Sequence, residues 1–229
     1  MTRRQGLAHC TVLVALGAAV LATPLRAAGA AAAKPQKILV VGDSLSAEYG
    51  LQRGSGWVAL LGQRLADEGI AATVVNASIS GDTTSGGRTR LPSLLRQHRP
   101  DVVVIELGAN DALRGLPLEE TRANLAAMTQ AAKVAGARVL LVGMQIPPNY
   151  GRAYGEAFAN VFGTVARNEG AALVPFLLKG VADVPQAERM FQPDRIHPLA
   201  AAHPLMLDNV WPGLEPLLRQ QPARRSDAR

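Results

Sequence analysis

Residues 101–107 read Asp-Val-Val-Val-Ile-Glu-Leu, and Gly108-Ala109-Asn110-Asp111 follow at once. A strand with one face in water alternates apolar and polar residues. A strand covered on both faces reads as a near-continuous apolar run, as this one does. The segment is therefore predicted to be a central strand of a parallel sheet, with a Gly-rich turn at its carboxyl end. Shorter apolar runs at 37–41, 72–76, 138–144 and 171–175 read as four further strands. Between them lie helical patterns. Trp57, Leu60, Leu61 and Leu65 recur at helical spacing, with Gly69 placed to stop that helix. Further helices are predicted at 88–98, at 117–135 between Pro117 and Gly136, and at 155–168. A last helix at 199–218 is expected to bend or break near Pro204 and Pro212. Strand–helix alternation implies a parallel sheet with helices on both faces. The predicted class is α/β: a flavodoxin-like, three-layer α/β/α domain with a five-stranded parallel sheet. Ligands of such sheets bind beyond the carboxyl ends of the strands. Ser44, Gly81 and Asn110 each come just after a predicted strand, so they fall on one rim.

The 229 residues suit one domain, and 48% hydrophobic content is enough for a core. Aromatic residues are only 4%, which argues against a surface that stacks sugars or bases. The net charge of +6 overstates the basicity of the body. Arg3, Arg4 and Arg26 lie in the first thirty positions, which hold no acid, so the remainder carries about +3. Arg224, Arg225 and Arg229 sit in a polar tail with Asp227. No basic face of the kind that binds nucleic acid is visible in the body, and no nucleic-acid partner is expected. Arg3 and Arg4, the apolar run 11–22 and the small residues around Ala28-Gly29-Ala30 have the form of a secretory signal. The run is shorter than the roughly 20 apolar residues that span a membrane, so no stable span is expected. Cys10, the only cysteine, lies in this segment, which excludes a thiol nucleophile or a thiolate metal site in the mature chain. The expected organisation is a signal and cleavage region at 1–33, one domain at 34–220 and a polar basic tail at 221–229. The protein is expected to be exported, to the periplasm or outside the cell, as a monomer.

The residues that carry chemistry occur in four short blocks. Ser44 lies in Gly42-Asp43-Ser44-Leu45, directly after the first strand. A serine hydroxyl needs a neighbouring base to become a nucleophile. Of four histidines, His9 is in the signal segment, His98 ends a polar helix beside Arg96 and Arg99, and His203 has no acid at a useful short spacing before it. His197 alone stands in an Asp-x-x-His spacing, Asp194-Arg195-Ile196-His197. A turn there brings Asp194 to one imidazole nitrogen and leaves the other for Ser44, which is the logic of a Ser-His-Asp triad. A tetrahedral intermediate also needs donors aimed at its oxyanion. The backbone amides of Ser44 and Gly81 and the side-chain amide of Asn110 are the candidates. Asp43 reads as a loop brace and Asp111 as structural. Ser46 stands where a Gly-x-Ser-x-Gly elbow has its second glycine, so the pattern is not that of the α/β-hydrolases.

Taken together, the blocks resemble the SGNH (GDSL-type) hydrolases, and in particular the secreted bacterial arylesterase, lysophospholipase and acyl-CoA thioesterase group. The first block corresponds to Gly42-Asp43-Ser44-Leu45-Ser46, the glycine block to residues 76–84, the asparagine block to residues 106–111 and the last to Asp194-Arg195-Ile196-His197-Pro198. Four ordered blocks over residues 37–218 make a chance match remote. The resemblance implies Ser44 as nucleophile, His197 as general base and then acid, and Asp194 as orienter. It further implies an oxyanion hole of Ser44, Gly81 and Asn110, with neither metal nor organic cofactor. Arg195 departs from a position that is often Gly in such proteins. The stretch 144–154 (MQIPPNYGRAY) follows the fourth strand on the same rim. It reads either as an ordinary surface loop or as a wall of an acyl pocket through Ile146, Pro147 and Tyr150. The expected activity is hydrolysis of carboxylic acyl esters, including arylesters and lysophospholipids, and of acyl thioesters. The substrate is a small acyl ester or thioester molecule. A histidine base must be neutral, so activity is expected to fall in acid. A carbohydrate O-acetyl esterase and a non-catalytic acyl- or lipid-binding protein are the alternatives, and an intact triad disfavours the second.

Overall fold

A computed structural model describes residues 34–220. The expected signal segment and the last nine residues of the tail lie outside the described residues. Five parallel strands form one sheet: β1 (Gln36–Gly42), β2 (Ala72–Asn76), β3 (Val102–Glu106), β4 (Arg138–Val142) and β5 (Ala172–Val174), in the order β2-β1-β3-β4-β5. This is the predicted flavodoxin-like order. Register is set by pairs such as Leu39 with Val75 on one side and Leu39 with Val103 on the other.

Among the described residues there are six α-helices: α1 (Trp57–Asp67), α2 (Thr84–His98), α3 (Ala109–Leu113), α4 (Leu118–Val134), α5 (Arg152–Glu169) and α6 (His203–Arg219). Helix α1 packs on α6, while α4 packs between α2 and α5, which gives a helical layer on each face. The core is the sheet itself. Ile38, Leu39, Val40 and Val41 of β1 and every residue of β3 are buried. Each fully buried Val, Leu or Ile contributes about 1.5–3 kcal/mol before chain entropy is counted. Trp57, Leu61 and Leu65 extend that core under α1.

Three elements differ from expectation. Helix α2 begins at Thr84, not at 88, because the Thr83 hydroxyl caps it by accepting the Gly86 N–H at 3.3 Å. Ser85, Gly86 and Gly87, which the helix predicted at 88–98 leaves out, are helical. Gly87 lies against β3 and α4, where a Cβ would stand 2.3 Å from Leu107 Cδ1 and 3.2 Å from the sulfur of Met128. Helix α3 was not expected, since five residues carry no readable period. Helix α6 runs unbroken through Pro212 and Pro216, and Pro204 sits in its first turn, where no amide hydrogen is required.

The sheet order reverses at β1, so a crevice opens between the carboxyl ends of β1 and β3. The loops after β1 and β3 therefore deliver Ser44 and Asn110 to the same rim.

Candidate active site

Ser44 follows β1 by two residues. Its Oγ lies 2.9 Å from Nε2 of His197, across a sequence separation of 153 residues. Nδ1 of His197 is 2.7 Å from Oδ2 of Asp194. The other carboxylate oxygen, Oδ1, accepts the backbone N–H groups of Ile196 at 2.9 Å and His197 at 3.0 Å. The His197 amide first, with the Ile196 amide and the imidazole behind it, pulls the Asp194 carboxyl down to about 2 from its ordinary 3.8. An ionised Asp194 can only accept, so Nδ1 carries the proton and its N–H donates a hydrogen bond to Asp194, leaving Nε2 to accept from the Ser44 hydroxyl.

The turn that makes this arrangement is tightly held. Gln192 N–H donates to the His197 carbonyl at 2.8 Å, and its side-chain amide donates to the carbonyls of Tyr49 at 2.9 Å and Pro198 at 3.2 Å. Arg195 sits at φ 59°, a left-handed conformation that favours glycine. The ring of Tyr49 lies against the imidazole, with centroids 4.2 Å apart and planes tilted by 34°. Tyr49 and Gln192 escape a reading by motif. They act through a loop-to-loop contact, and their only hint is an aromatic residue close after Ser44 in an aromatic-poor chain.

The expected oxyanion donors share this rim. Gly81 has φ 79°, and Arg114 Nη2 donates to its carbonyl at 2.8 Å. Asn110 lies in the first turn of α3, and its Nδ2 donates to Oδ2 of Asp43 at 3.1 Å. One amide hydrogen is thus committed and the other is free for a substrate oxygen. Asp43 is 1% exposed, and its Oδ1 accepts the Leu45 N–H at 3.0 Å. Burial raises its carboxyl to about 6 from 3.8. Asp111 ties three helices together: it accepts from the Thr84 amide at 2.9 Å, from the Thr84 hydroxyl, and from the Thr121 hydroxyl at 3.4 Å.

Ser44, His197, Gly81 and Asn110 open onto one cavity of about 700 Å³. That is within the roughly 300–1,000 Å³ of small-molecule sites. Its walls are largely apolar, with Met144, Phe176, Leu178 and Phe191 prominent. Ile146 and Pro147 line it. Tyr150, expected as a third wall residue, does not. It sits in a short 3-10 turn, 40% exposed, with its hydroxyl donating to the Leu113 carbonyl at 3.5 Å.

His203, set aside as a base on its spacing, has a different task. Its Nδ1 accepts the backbone N–H of Trp57 at 3.0 Å and so caps the start of α1. Burial lowers its pKa below the ordinary 6.5. Among the described residues no group of His, Cys, Asp and Glu is placed to hold a metal ion. Among the same residues no helix is long and apolar enough to cross a membrane.

Residues 40–205 match the GDSL-like Lipase/Acylhydrolase family. The chain belongs to that family. It is therefore an ester-hydrolysing enzyme of the GDSL type, with the α/β fold of SGNH hydrolases. It is 58% identical over 186 residues to "Esterase TesA" of Pseudomonas aeruginosa, covering 81% of this chain and 91% of that one. It is 42% identical to an "Arylesterase" of Vibrio mimicus, covering 79% and 89%. It is 41% identical to "Thioesterase 1/protease 1/lysophospholipase L1" of Escherichia coli K12, covering 82% and 87%. A crystal structure of TesA superposes with a TM-score of 0.76 at 58% identity, covering 80% of this chain and 99% of that one. GDSL-family membership also gives the first block its meaning: the Gly42-Asp43-Ser44-Leu45 tetrad is the sequence after which the family is named.

Proposed function

We propose that this GDSL hydrolase is a serine esterase whose nucleophile is Ser44, with His197 as base and Asp194 as its orienter. The observation that carries the proposal is the unbroken hydrogen-bond chain Ser44–His197–Asp194, opening onto an apolar cavity. In the first half-reaction Nε2 takes the Ser44 proton as Oγ attacks the acyl carbonyl. The charge on the carbonyl oxygen is met by the amides of Ser44 and Gly81 and the free N–H of Asn110. The tetrahedral species collapses, His197 returns the proton to the departing alkoxide or thiolate, and an acyl-Ser44 ester remains. In the second half-reaction water loses a proton to His197 and attacks the same carbonyl. The proton then goes back to Ser44 as the carboxylic acid leaves.

The substrates proposed are small acyl esters, including arylesters and lysophospholipids, and acyl thioesters. The names of the relatives support that range, as does a cavity whose walls make mainly apolar contacts with an acyl chain. The test is hydrolysis of p-nitrophenyl esters from acetate to palmitate by the mature domain and by Ser44→Ala. Turnover by the wild type that is lost in Ser44→Ala is expected. Turnover that persists in a folded Ser44→Ala protein refutes the assignment. We also propose export, on the strength of Arg3, Arg4 and the apolar run 11–22. The mature form recovered outside the cytoplasm would begin near residue 31. A protein retained in the cytoplasm at full length would contradict this.

A further inference from the structure

Glu106 ends β3 directly beneath the site, is 2% exposed, and has no part in the reaction just described. Its Oε2 accepts the Ser46 hydroxyl at 2.7 Å and the backbone N–H of Asp43 at 3.4 Å. The Asp43 carboxyl is close enough for its charge to raise the Glu106 pKa. The packing is close: a Cβ on Gly42 would stand 2.9 Å from Glu106 Oε2 and 2.7 Å from the Ser46 hydroxyl. Two carboxyl groups are therefore buried as neighbours, joined through the Asp43 amide. No Lys or Arg among the described residues forms a salt bridge with either. The guanidinium of Arg90, which reaches the Gly42 carbonyl, is engaged by Asp82 at 2.8 Å and by the Ala77 carbonyl.

Two like charges held as neighbours and out of water cannot both persist, so the pair holds a proton. The donors around each group decide which carboxyl carries it. Asp43 receives two N–H groups, from Leu45 and Asn110, and these favour its ionised form. Both oxygens of Asp43 thus already accept. Glu106 receives its donors on Oε2, leaving Oε1 to carry the proton. Burial first, and then the charge of Asp43, push the Glu106 carboxyl well above its ordinary value.

The consequence falls on Asn110. An ionised Asp43 only accepts, so the Asn110 amide must turn its NH2 toward it, which leaves the second N–H facing the cavity. A protonated Asp43 could donate to the carboxamide oxygen instead. The flipped amide would then set an oxygen, not a donor, against the developing oxyanion.

We propose that Glu106 is a positioning residue of the oxyanion hole: a neutral carboxylic acid that keeps its proton, donates a hydrogen bond to the ionised Asp43 carboxylate, and so holds Asn110 with an N–H toward the substrate oxygen. This rests on the oxyanion assignment of Asn110 made above.

The test compares Glu106→Gln, Glu106→Leu, Asn110→Ala and the Glu106→Leu/Asn110→Ala double variant on p-nitrophenyl butyrate, with kcat and KM separated. Thermal melts accompany each variant. Gln carries an NH2 for Asp43 and an oxygen for Ser46, so its kcat stays within about threefold of wild type. Asn110→Ala lowers kcat about a hundredfold, as loss of one oxyanion donor does. Glu106→Leu lowers kcat at least tenfold with KM little changed, and the double variant is no slower than Asn110→Ala alone. A second measurement does not depend on the Leu variant folding. The infrared spectrum at neutral pH should show the carbonyl band of a buried, protonated carboxylic acid in the wild type and lose it in Glu106→Gln.

The relay is overturned if Glu106→Gln is as slow as Glu106→Leu, if the Glu106 and Asn110 losses multiply, or if the infrared band is absent. An Asn110→Ala enzyme of full activity would overturn the relay together with the oxyanion assignment. Loss of turnover in Ser44→Ala would still stand apart as the test of the nucleophile.

Discussion

Replacing Asp194 by Asn changes one atom of the site and makes the sharpest demand on the account. The Asp194 Oδ1 accepts two backbone amides, at 2.9 and 3.0 Å, so in Asp194→Asn the side-chain oxygen keeps that position. Flipping the new amide would give up both bonds, a difference of about 2 kcal/mol at roughly 1 kcal/mol each. The NH2 is therefore held at the other position, where Oδ2 now stands 2.7 Å from His197 Nδ1. There it can only donate. Nδ1 becomes the acceptor, the imidazole proton moves to Nε2, and Nε2 then faces the Ser44 hydroxyl as a donor. The base is lost without any displacement of the loop. The expected loss in kcat is on the order of 10⁴, as for this change in serine proteases. Stability at neutral pH should change by less than about 1 kcal/mol, because the two backbone bonds survive. The assay is steady-state hydrolysis of p-nitrophenyl butyrate beside a thermal melt. The pH dependence of stability gives a second readout. The Asp194 carboxyl is depressed to about 2 from 3.8, so its ionised contribution is complete above pH 3.8 and disappears as the pH falls toward 2. Whatever stability separates wild type from Asp194→Asn should shrink over that interval. A folded Asp194→Asn enzyme within tenfold of wild-type kcat would refute the tautomer reasoning.

Four further outcomes are expected. His203→Leu removes the acceptor for the buried Trp57 N–H and should cost about 1–3 kcal/mol in a denaturant titration. Because burial lowers the His203 pKa, wild-type stability should fall as pH drops below 6.5, where the unfolded chain binds a proton that the folded one refuses. His203→Leu should lose that slope, and an unchanged slope would remove His203 as its source. Gly143→Ala would place a Cβ 2.4 Å from the Pro175 carbonyl oxygen, a backbone atom that cannot swing aside, and should destabilise by about 1–3 kcal/mol in a thermal melt. Arg195→Gly relieves a left-handed residue but adds chain entropy to the unfolded state, so stability should stay within about 1 kcal/mol and kcat on a short neutral ester should hold. Ile146→Trp fills part of the cavity and should cut turnover of palmitate esters far more than of acetate esters. A chain-length profile that does not move would return the 144–154 stretch to an ordinary surface loop.

How far the sequence reaches depends on the range of the interactions involved. The five strands were legible because each is a short apolar run, and the 101–107 segment stood out because β3 is buried on both faces. The residues of the four blocks were legible because each block is local: a few positions in a row carry the chemical pattern. What failed to show was either too short or too distant. Helix α3 has too few residues to display a period. The first turn of α2 lies outside the predicted helix, since the close fit of Gly87 against Leu107 and Met128 comes from other elements. The cap that His203 gives Trp57 joins residues 146 positions apart, and Tyr49 meets His197 only because two loops converge. Glu106 illustrates both limits. Its place in the asparagine block was evident, whereas its partners Asp43 and Ser46 are some sixty residues earlier in the chain and meet it only across the β1–β3 pairing.

The central claim is that Ser44 carries the acyl group between the two halves of the reaction. It is tested most directly by acid-quenching the enzyme during turnover of p-nitrophenyl butyrate and mapping the acylated peptide by mass spectrometry. The account predicts a single butyryl group, on Ser44, which is absent from Ser44→Ala. Under the same conditions His197→Ala should acylate far more slowly. Turnover with no trapped acyl group in a burst-competent sample, or a butyryl group on another residue that tracks turnover, would contradict it.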